Sequence, residues 1–320
     1  MIAFGPVPSR RLGQSLGINN IPSKNCSYAC IYCQVGNTSE LNYTRNEFYK
    51  PEDIFGDVQE LVVKLKKNRE AIDYITFVPD GEPTLDVNLG NEIDLLKLLG
   101  YKIAVITNGS LIMSHDVQND LKKADYVSIK IDTIDKQIWK KINRPYNKIS
   151  LEAILEGLNE FSQNYHGRLT TETMLIDEIN SSHSNIASVA GFISKLRPYR
   201  AYIAIPTRPP AETWVSIPNE VTLNNAFQIF EEKINRVEYL IDFEGNDFGY
   251  SGEIEKDILN ITAVHPLRSE SVQGLLRKAN ADWRVIENLI YQEKLTEVEY
   301  AGNKFYVRCL LDNVKMGESR

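Results

Sequence analysis

The chain has 320 residues, 42% hydrophobic, 25% charged and 9% aromatic, with a formal net charge of -7. That balance gives room for one large core and an appendage, and excludes a disordered or collagen-like chain. No apolar run is long enough for a membrane span, the opening MIAFGPVPSRR lacks the order of a signal peptide, and the acidic total removes the global signature of nucleic-acid binding, so a cytoplasmic protein with no membrane partner is expected.

Short β-rich runs alternate with amphipathic stretches from about residue 15 to residue 243. Val58, Leu61, Val62 and Leu65 recur at i, i+3, i+4, i+7, the apolar stripe of a helix covering a sheet. Strands are predicted over YITFVP (74–79), KIAVIT (102–107), YVSIKID (126–132), RLTTETMLI (168–176), AYIAIP (201–206) and VEYLIDF (237–243). Such alternation implies right-handed βαβ units and a parallel sheet, open or closed into a barrel. In YVSIKID, Val127, Ile129 and Ile131 fall on one face and Ser128, Lys130 and Asp132 on the other. A strand buried on both faces is apolar throughout. The polar face therefore points to a lumen that holds a ligand, with a wet edge strand as the alternative.

After residue 243 the pattern changes. EGNDFGYSG (244–252) is a glycine-rich link, and the stretch after it reads as helices broken at Pro266. ADWRVIENLIYQEKL (281–295) is an amphipathic helix with Trp283, Ile286, Leu289 and Ile290 on one side, and TEVEYAGNKFYVRCL (296–310) a hairpin turning at Ala301-Gly302-Asn303. The expected division is a barrel over 1–245, a helical linker over 246–280 and a small winged-helix-like domain over 281–320. That last segment carries six Lys/Arg against seven Asp/Glu, without the basic excess of a nucleic-acid-binding wing. Trp283, Tyr300 and Phe305 are accordingly read as core residues of a protein-contact module or lid.

Three of the four cysteines stand in KNCSYACIYCQVGNT (24–38), spaced C-x3-C-x2-C as Cys26, Cys30 and Cys33. They are too closely spaced for a disulfide framework. Zinc sites pair C-x2-C arms and use four protein ligands, and only Cys309, His115, His166, His183 and His265, all remote in sequence, remain to complete one. A [4Fe–4S] cluster is held by closely spaced thiolates; three of them leave one iron open to a ligand bearing an amine and a carboxylate.

With these residues the loop resembles the signature of the radical S-adenosylmethionine (radical SAM) enzymes. The resemblance implies that the open iron binds SAM and that an electron from the reduced cluster cleaves it to methionine and a 5′-deoxyadenosyl radical. Tyr32 matches the aromatic placed against the adenine. PDGEPTLD (79–86) resembles the family's Gly-Gly-Glu-Pro motif, with Asp80 in place of the first glycine, and lies at a strand's C-terminal end, where barrels gather active-site groups. By resemblance Gly81, Glu82 and Pro83 hold the SAM ammonium. Asn108, in TNG (107–109), ends the third core strand, and Ser128, Lys130 and Asp132 match positions used for the SAM ribose and carboxylate. Arg208 is placed for a lumen or SAM contact.

GPVPSRRLGQSLGIN (5–19), GEPTL (81–85), INRP (142–145), TRPPAE (207–212) and AVHPLR (263–268) together resemble the Fe–S oxidoreductases grouped with the tRNA wyosine synthases. Those synthases carry a second cluster, for which Cys309 alone does not suffice. The fold implied is α/β, a partial (β/α)6 TIM-like barrel of parallel strands with a small C-terminal helical, winged-helix-like domain. The function implied is reductive SAM cleavage and hydrogen abstraction from a macromolecule, an RNA base or a protein or peptide side chain. The alternatives are the same chemistry on a small metabolite, or an Fe–S redox sensor that binds DNA, which calls for a basic wing and no SAM motif. Methyl transfer, which in this superfamily recruits cobalamin or further cysteines, is disfavoured. The appendage does not resemble a flavodoxin domain, so an external ferredoxin- or flavodoxin-type electron donor is expected, and VGNTSELNYTRNEFY (35–49) is expected to shelter the cysteine loop.

Overall fold

The computed structural model describes residues 2–241 and 245–309. In chain order the strands of its first part are β1 (Ala3–Ser9), β2 (Gly13–Ile18), the two-residue β3 (Asn25–Cys26) and β4 (Glu40–Leu41), β5 (Tyr74–Phe77), β6 (Lys102–Thr107), β7 (Tyr126–Lys130), β8 (Arg168–Met174), β9 (Arg200–Ala204) and β10 (Val237–Leu240). The helices between them are α1 (Pro51–Lys67), α2 (Leu89–Lys97), α3 (His115–Leu121), α4 (Lys136–Ile142), α5 (Leu151–Asn164), α6 (His183–Leu196) and α7 (Glu220–Glu231). Eight strands form one sheet in the order β1-β2-β5-β6-β7-β8-β9-β10. β1 runs antiparallel to β2, and every pair from β2 to β10 is parallel.

This is the expected partial barrel: six β/α units begin at β2, β5, β6, β7, β8 and β9, β10 follows as a further parallel strand, and β1 adds an antiparallel edge. The helices start where the sequence can cap them. Ser150, Ser182 and Asn219 each accept from the N–H three residues on, and α1 opens on Glu52 and Asp53 and closes on Lys64, Lys66 and Lys67, matching its dipole. Ile54, Val58, Val62 and Leu65 of α1 are buried against the sheet, as are Val127, Ile129 and Ile131 on β7 and just after it. Five of the six predicted strands, KIAVIT excepted, overrun the observed C-terminal ends, because there the chain leaves the ladder to build the site; of VEYLIDF, residues 242 and 243 lie outside the described residues.

The remaining elements are α8 (Ile254–Thr262), β11 (Leu267–Arg268), α9 (Ser269–Lys278), α10 (Arg284–Tyr291), β12 (Leu295–Tyr300) and β13 (Asn303–Arg308). The sheet order β11-β13-β12, all antiparallel, is that of a winged helix. Ala301 and Gly302, with φ of 49° and 72°, make the two-residue hairpin turn, a conformation in which glycine carries no steric cost. One apolar cluster unites Ile258, Ile261, Val272, Leu275, Ile286, Leu289 and Tyr306 with Phe4 and Val7 of β1. Phe305 is buried, and Trp283 packs edge-on against Tyr306 at 5.7 Å. Residues 310–320 of the segment expected as a winged-helix-like domain lie outside the described residues.

The sheet does not close on itself, and its seam is bridged by other means. Arg10 in the β1–β2 turn donates to the Tyr239 carbonyl (3.4 Å), Gln14 donates to the Asp247 carbonyl (3.1 Å), and Gly249 donates its N–H to Pro6 (2.7 Å). No helix among the described residues is long and apolar enough to cross a membrane.

Candidate active site

The cysteine loop leaves the C-terminal end of β2 and is pinned by segments remote in sequence. Cys26 pairs with Leu41 in the β3–β4 ladder, and Asn25 bridges to Gly81. Ala29 and Ile31 donate their N–H groups to the carbonyls of Asn143 and Ile142 (both 3.0 Å), and Glu212 donates to Ile31 (3.0 Å). The stretch after the loop doubles back over it: Glu40 N–H donates to Lys24 (3.1 Å), Asn42 N–H to Cys26 (2.9 Å), and the Thr38 hydroxyl to Tyr28 (2.9 Å).

Cys26, Cys30 and Cys33 line one cavity of about 260 Å³ at the C-terminal ends of the strands, together with Tyr32, Gly81, Glu82, Asn108, Lys130 and Arg208. Asn108 Nδ2 lies 3.6 Å from Cys26 Sγ, and Asn143 Nδ2 lies 3.5 Å from Cys30 Sγ, so two of the sulfurs face amide donors that suit a thiolate. Burial raises all three thiols, Cys30 to about 12. Burial thus favours the neutral thiol, and metal binding must displace its proton. Among the described residues no three His, Cys, Asp or Glu side chains form a group fit for a single metal ion. A zinc ion needs its donors within about 2.0–2.3 Å of one point, whereas three thiols distributed around one cavity fit a polynuclear cluster.

Glu82 anchors the stretch of cavity wall bridged to the loop at Asn25. Its carboxylate, 1% exposed, accepts from the Thr84 N–H (3.1 Å), the Thr84 and Thr107 hydroxyls (both 2.6 Å) and the Asn108 N–H (2.7 Å). Burial raises its pKa, and these four donors oppose the rise. Pro83 opens a single turn of 3-10 helix behind Glu82 and is not on the cavity wall.

Ser128 and Asp132, matched by resemblance to SAM-binding positions, also stand off the cavity wall. Ser128 lies two residues deeper along β7 than Lys130 and accepts from Arg11 Nη1 (3.3 Å). Asp132 lies beyond the end of β7, where strand alternation no longer governs direction. It accepts from the Tyr32 hydroxyl, Asn143 Nδ2 (2.7 Å) and the Met174 N–H (2.9 Å). It thereby fixes the plane of Tyr32, and the Lys130 ammonium sits 5.1 Å from that ring's centroid.

Several residues of the cavity were not read from the sequence as site residues. Glu172 on β8 pairs with Lys130 (3.1 Å) and with Arg11 from the β1–β2 turn. Burial works against the Lys130 charge, but Glu172 and Asp132 outweigh it and hold its pKa above the usual lysine range. The alternation of RLTTETM already put Glu172 on a common face with Thr170 and Met174; nothing in the sequence tied it to Arg11.

The departure at Asp80 has a counterpart. Lys24, at the head of the cysteine loop, places Nζ 2.9 Å from Asp80 Oδ2 and also donates to the Val35 carbonyl, while the Ser23 hydroxyl donates to Asp80 at 2.6 Å. Both charged groups are buried, with side-chain exposures of 11% and 5%. Lys24→Ala is expected to cost about 3 kcal/mol by stranding Asp80, and adding Asp80→Gly to recover most of it. Urea unfolding of all four proteins of the cycle measures this; a double variant that loses the sum of the two single losses would show the pair to be inert.

Residues 20–188 match the family model described as the radical SAM superfamily. The chain is 48% identical over 309 residues to a UPF0026 protein of Methanocaldococcus jannaschii, covering 96% of each. It is 37% identical over 211 residues to a UPF0026 protein of Helicobacter pylori strain J99, covering 65% of this chain and 67% of that one. In fold it is similar to TYW1 with a lysine-pyruvate adduct bound (TM-score 0.52, 16% identity, 70% of this chain and 76% of that one) and to Streptococcus suis SuiB bound to S-adenosylmethionine (TM-score 0.51, 15% identity, 70% and 49%). With the cysteine loop at the mouth of a partial parallel barrel, these matches show that the chain belongs to the radical SAM superfamily, whose members use a [4Fe–4S] cluster and SAM.

Proposed function

We propose that Cys26, Cys30 and Cys33 hold the [4Fe–4S] cluster, that Gly81, Glu82, Asn108 and Lys130 border the SAM site beside Tyr32, and that the enzyme abstracts hydrogen from a macromolecular substrate, an RNA base or a protein or peptide side chain. The observation that carries the first part is the convergence of the three thiols, the Gly81-Glu82 turn and Lys130 on one cavity. When bound, the reduced cluster supplies the electron that cleaves SAM. The chain's own work is to orient and shield. Asn108 and Asn143 direct amides at the sulfurs, Glu82 fixes the backbone of Asn108, and Met174, Ile205, Leu240 and Val264 give the cavity an apolar wall that excludes water.

A macromolecular substrate is supported by the winged-helix unit beside the mouth, which contributes Val264 to the cavity and ties to the barrel through the Tyr300 hydroxyl on the Pro206 carbonyl (3.2 Å). In this proposal residues 1–245 are the barrel and those from 246 onward a recognition unit, in a cytoplasmic protein served by an external reductant. One observation favours the small-metabolite reading instead: the bridged seam leaves the barrel mouth as the main approach.

After anaerobic reconstitution with iron and sulfide and reduction by dithionite, 5′-deoxyadenosine is expected by chromatography, in an amount that rises with an added RNA or protein fraction. Cluster assembly without any SAM cleavage under all these conditions would remove the radical mechanism. Stimulation by small-molecule extract alone would favour the second reading.

A further inference from the structure

The segment KQIWKKINRPYNKIS, residues 136–150, carries Lys136, Lys140, Lys141, Arg144 and Lys148 and no acidic residue, in a chain of net charge -7. Trp139 and Ile142 turn inward, and all five cations are on exposed positions. Glu152 offsets Lys136 (2.9 Å) and Glu212 offsets Arg144, which leaves the surplus on Lys140, Lys141 and Lys148. Lys148 lies 5.5 Å from the centroid of Tyr43, itself stacked on Tyr146 at 4.8 Å, and Leu41 nearby in sequence is 40% exposed. The result is a basic surface with aromatic and aliphatic side chains among its cations.

This surface is built directly onto the cysteine loop. Ala29 N–H donates to Asn143 and Arg144, Ile31 to Ile142, and Tyr146 to Ser27, while Asn143 Nδ2 reaches Cys30 Sγ. None of the five cations lines the cavity. A substrate held on this face would not be presented to the cavity, whereas an electron donor needs only to come close to the thiolates. Opposite charge on a partner steers encounter and fixes orientation.

We propose that the face formed by α4 and residues 143–148 is the docking site for an acidic, low-potential electron-transfer protein, which reduces the cluster through the Cys30 side of the loop. This inference rests on the cluster assignment above. The test uses the reconstituted full chain, an acidic [4Fe–4S] ferredoxin as donor, and the variant Lys140→Glu/Lys141→Glu/Lys148→Glu. Cluster reduction by ferredoxin, followed by stopped-flow absorbance, is expected to fall at least tenfold in the variant and to fall with added salt in the wild type. Reduction by dithionite and bound iron should stay the same. An unchanged ferredoxin rate overturns the proposal. So does an unchanged ferredoxin rate accompanied by lost binding of the variant to bulk tRNA, which would make the face an RNA surface. Calorimetric binding of ferredoxin to the metal-free chain, weakened at least tenfold in the variant, is the independent arm. It reads docking even if no cluster assembles, so failure of the cluster assignment and failure of the docking site are told apart.

Discussion

Replacing Cys30 by alanine is expected to leave a folded protein that retains no [4Fe–4S] cluster and forms 5′-deoxyadenosine only at background level. The fold survives because little is lost: a buried small group removed costs about 1 kcal/mol, and Asn143 Nδ2, deprived of the sulfur, still donates to Asp132 at 2.7 Å. The cluster does not survive, because two thiolates cannot replace three and no other cysteine lines the cavity. Iron analysis, the visible absorption of the cluster and chromatography of the nucleoside product check the three parts separately. A variant that still cleaves SAM would remove Cys30 from the ligand set.

Gly81→Ala is expected to damage both the fold and the site. A Cβ at this position would stand 2.0 Å from the Asn25 carbonyl oxygen and 2.7 Å from Ile21 Cδ1. The isoleucine can rotate. The carbonyl cannot, because it accepts the Glu82 N–H at 3.1 Å within the bridge joining the cysteine loop to the motif. Relief of the clash separates those two segments, at a cost of about 3 kcal/mol or more, and moves Glu82 away from Thr107 and Asn108. Melting several degrees below the wild type and a loss of SAM affinity of at least tenfold are expected, by calorimetry in both cases. Gly191→Ala is the control. It sits within α6, an added Cβ meets nothing within 4 Å, and a gain of about 0.5–1 kcal/mol is expected. Equal behaviour of the two variants would show that the close approach at Gly81 carries no weight.

The barrel strands from β5 onward were legible because their β-branched runs are bounded by turns and separated by helical stripes. The β1–β2 hairpin was not among the predicted strands: Gly5, Pro6, Pro8 and Gly13 interrupt any strand pattern, and only an edge position lets a strand keep two prolines. The thiols were legible from spacing alone. Period-2 alternation gave the inward faces of Lys130 and Ser128 but not their depth, which decides that one reaches the cavity and the other lies under Arg11. It gave no partners either. Lys24 with Asp80 and Arg11 with Glu172 are remote in sequence and meet only through the topology. At Asp132, past the strand's end, the alternation had stopped applying.

The shared core of β1 and the winged-helix unit also governs the order in which this protein can mature. Phe4 and Val7 leave the ribosome almost first, yet their apolar neighbours Ile286, Leu289 and Tyr306 are translated almost last. At about 5–20 residues per second, β1 waits tens of seconds for its final burial. The seam's partners Tyr239, Asp247 and Gly249 are made earlier, so through the end of that interval it is the apolar side chains of β1 that lack their cover. Every described residue that lines the cavity has been made by position 264, so the site's wall is present in the chain while the strands that cover β1 are still to come, and the last stage of synthesis completes the shell of the barrel rather than its cysteine site.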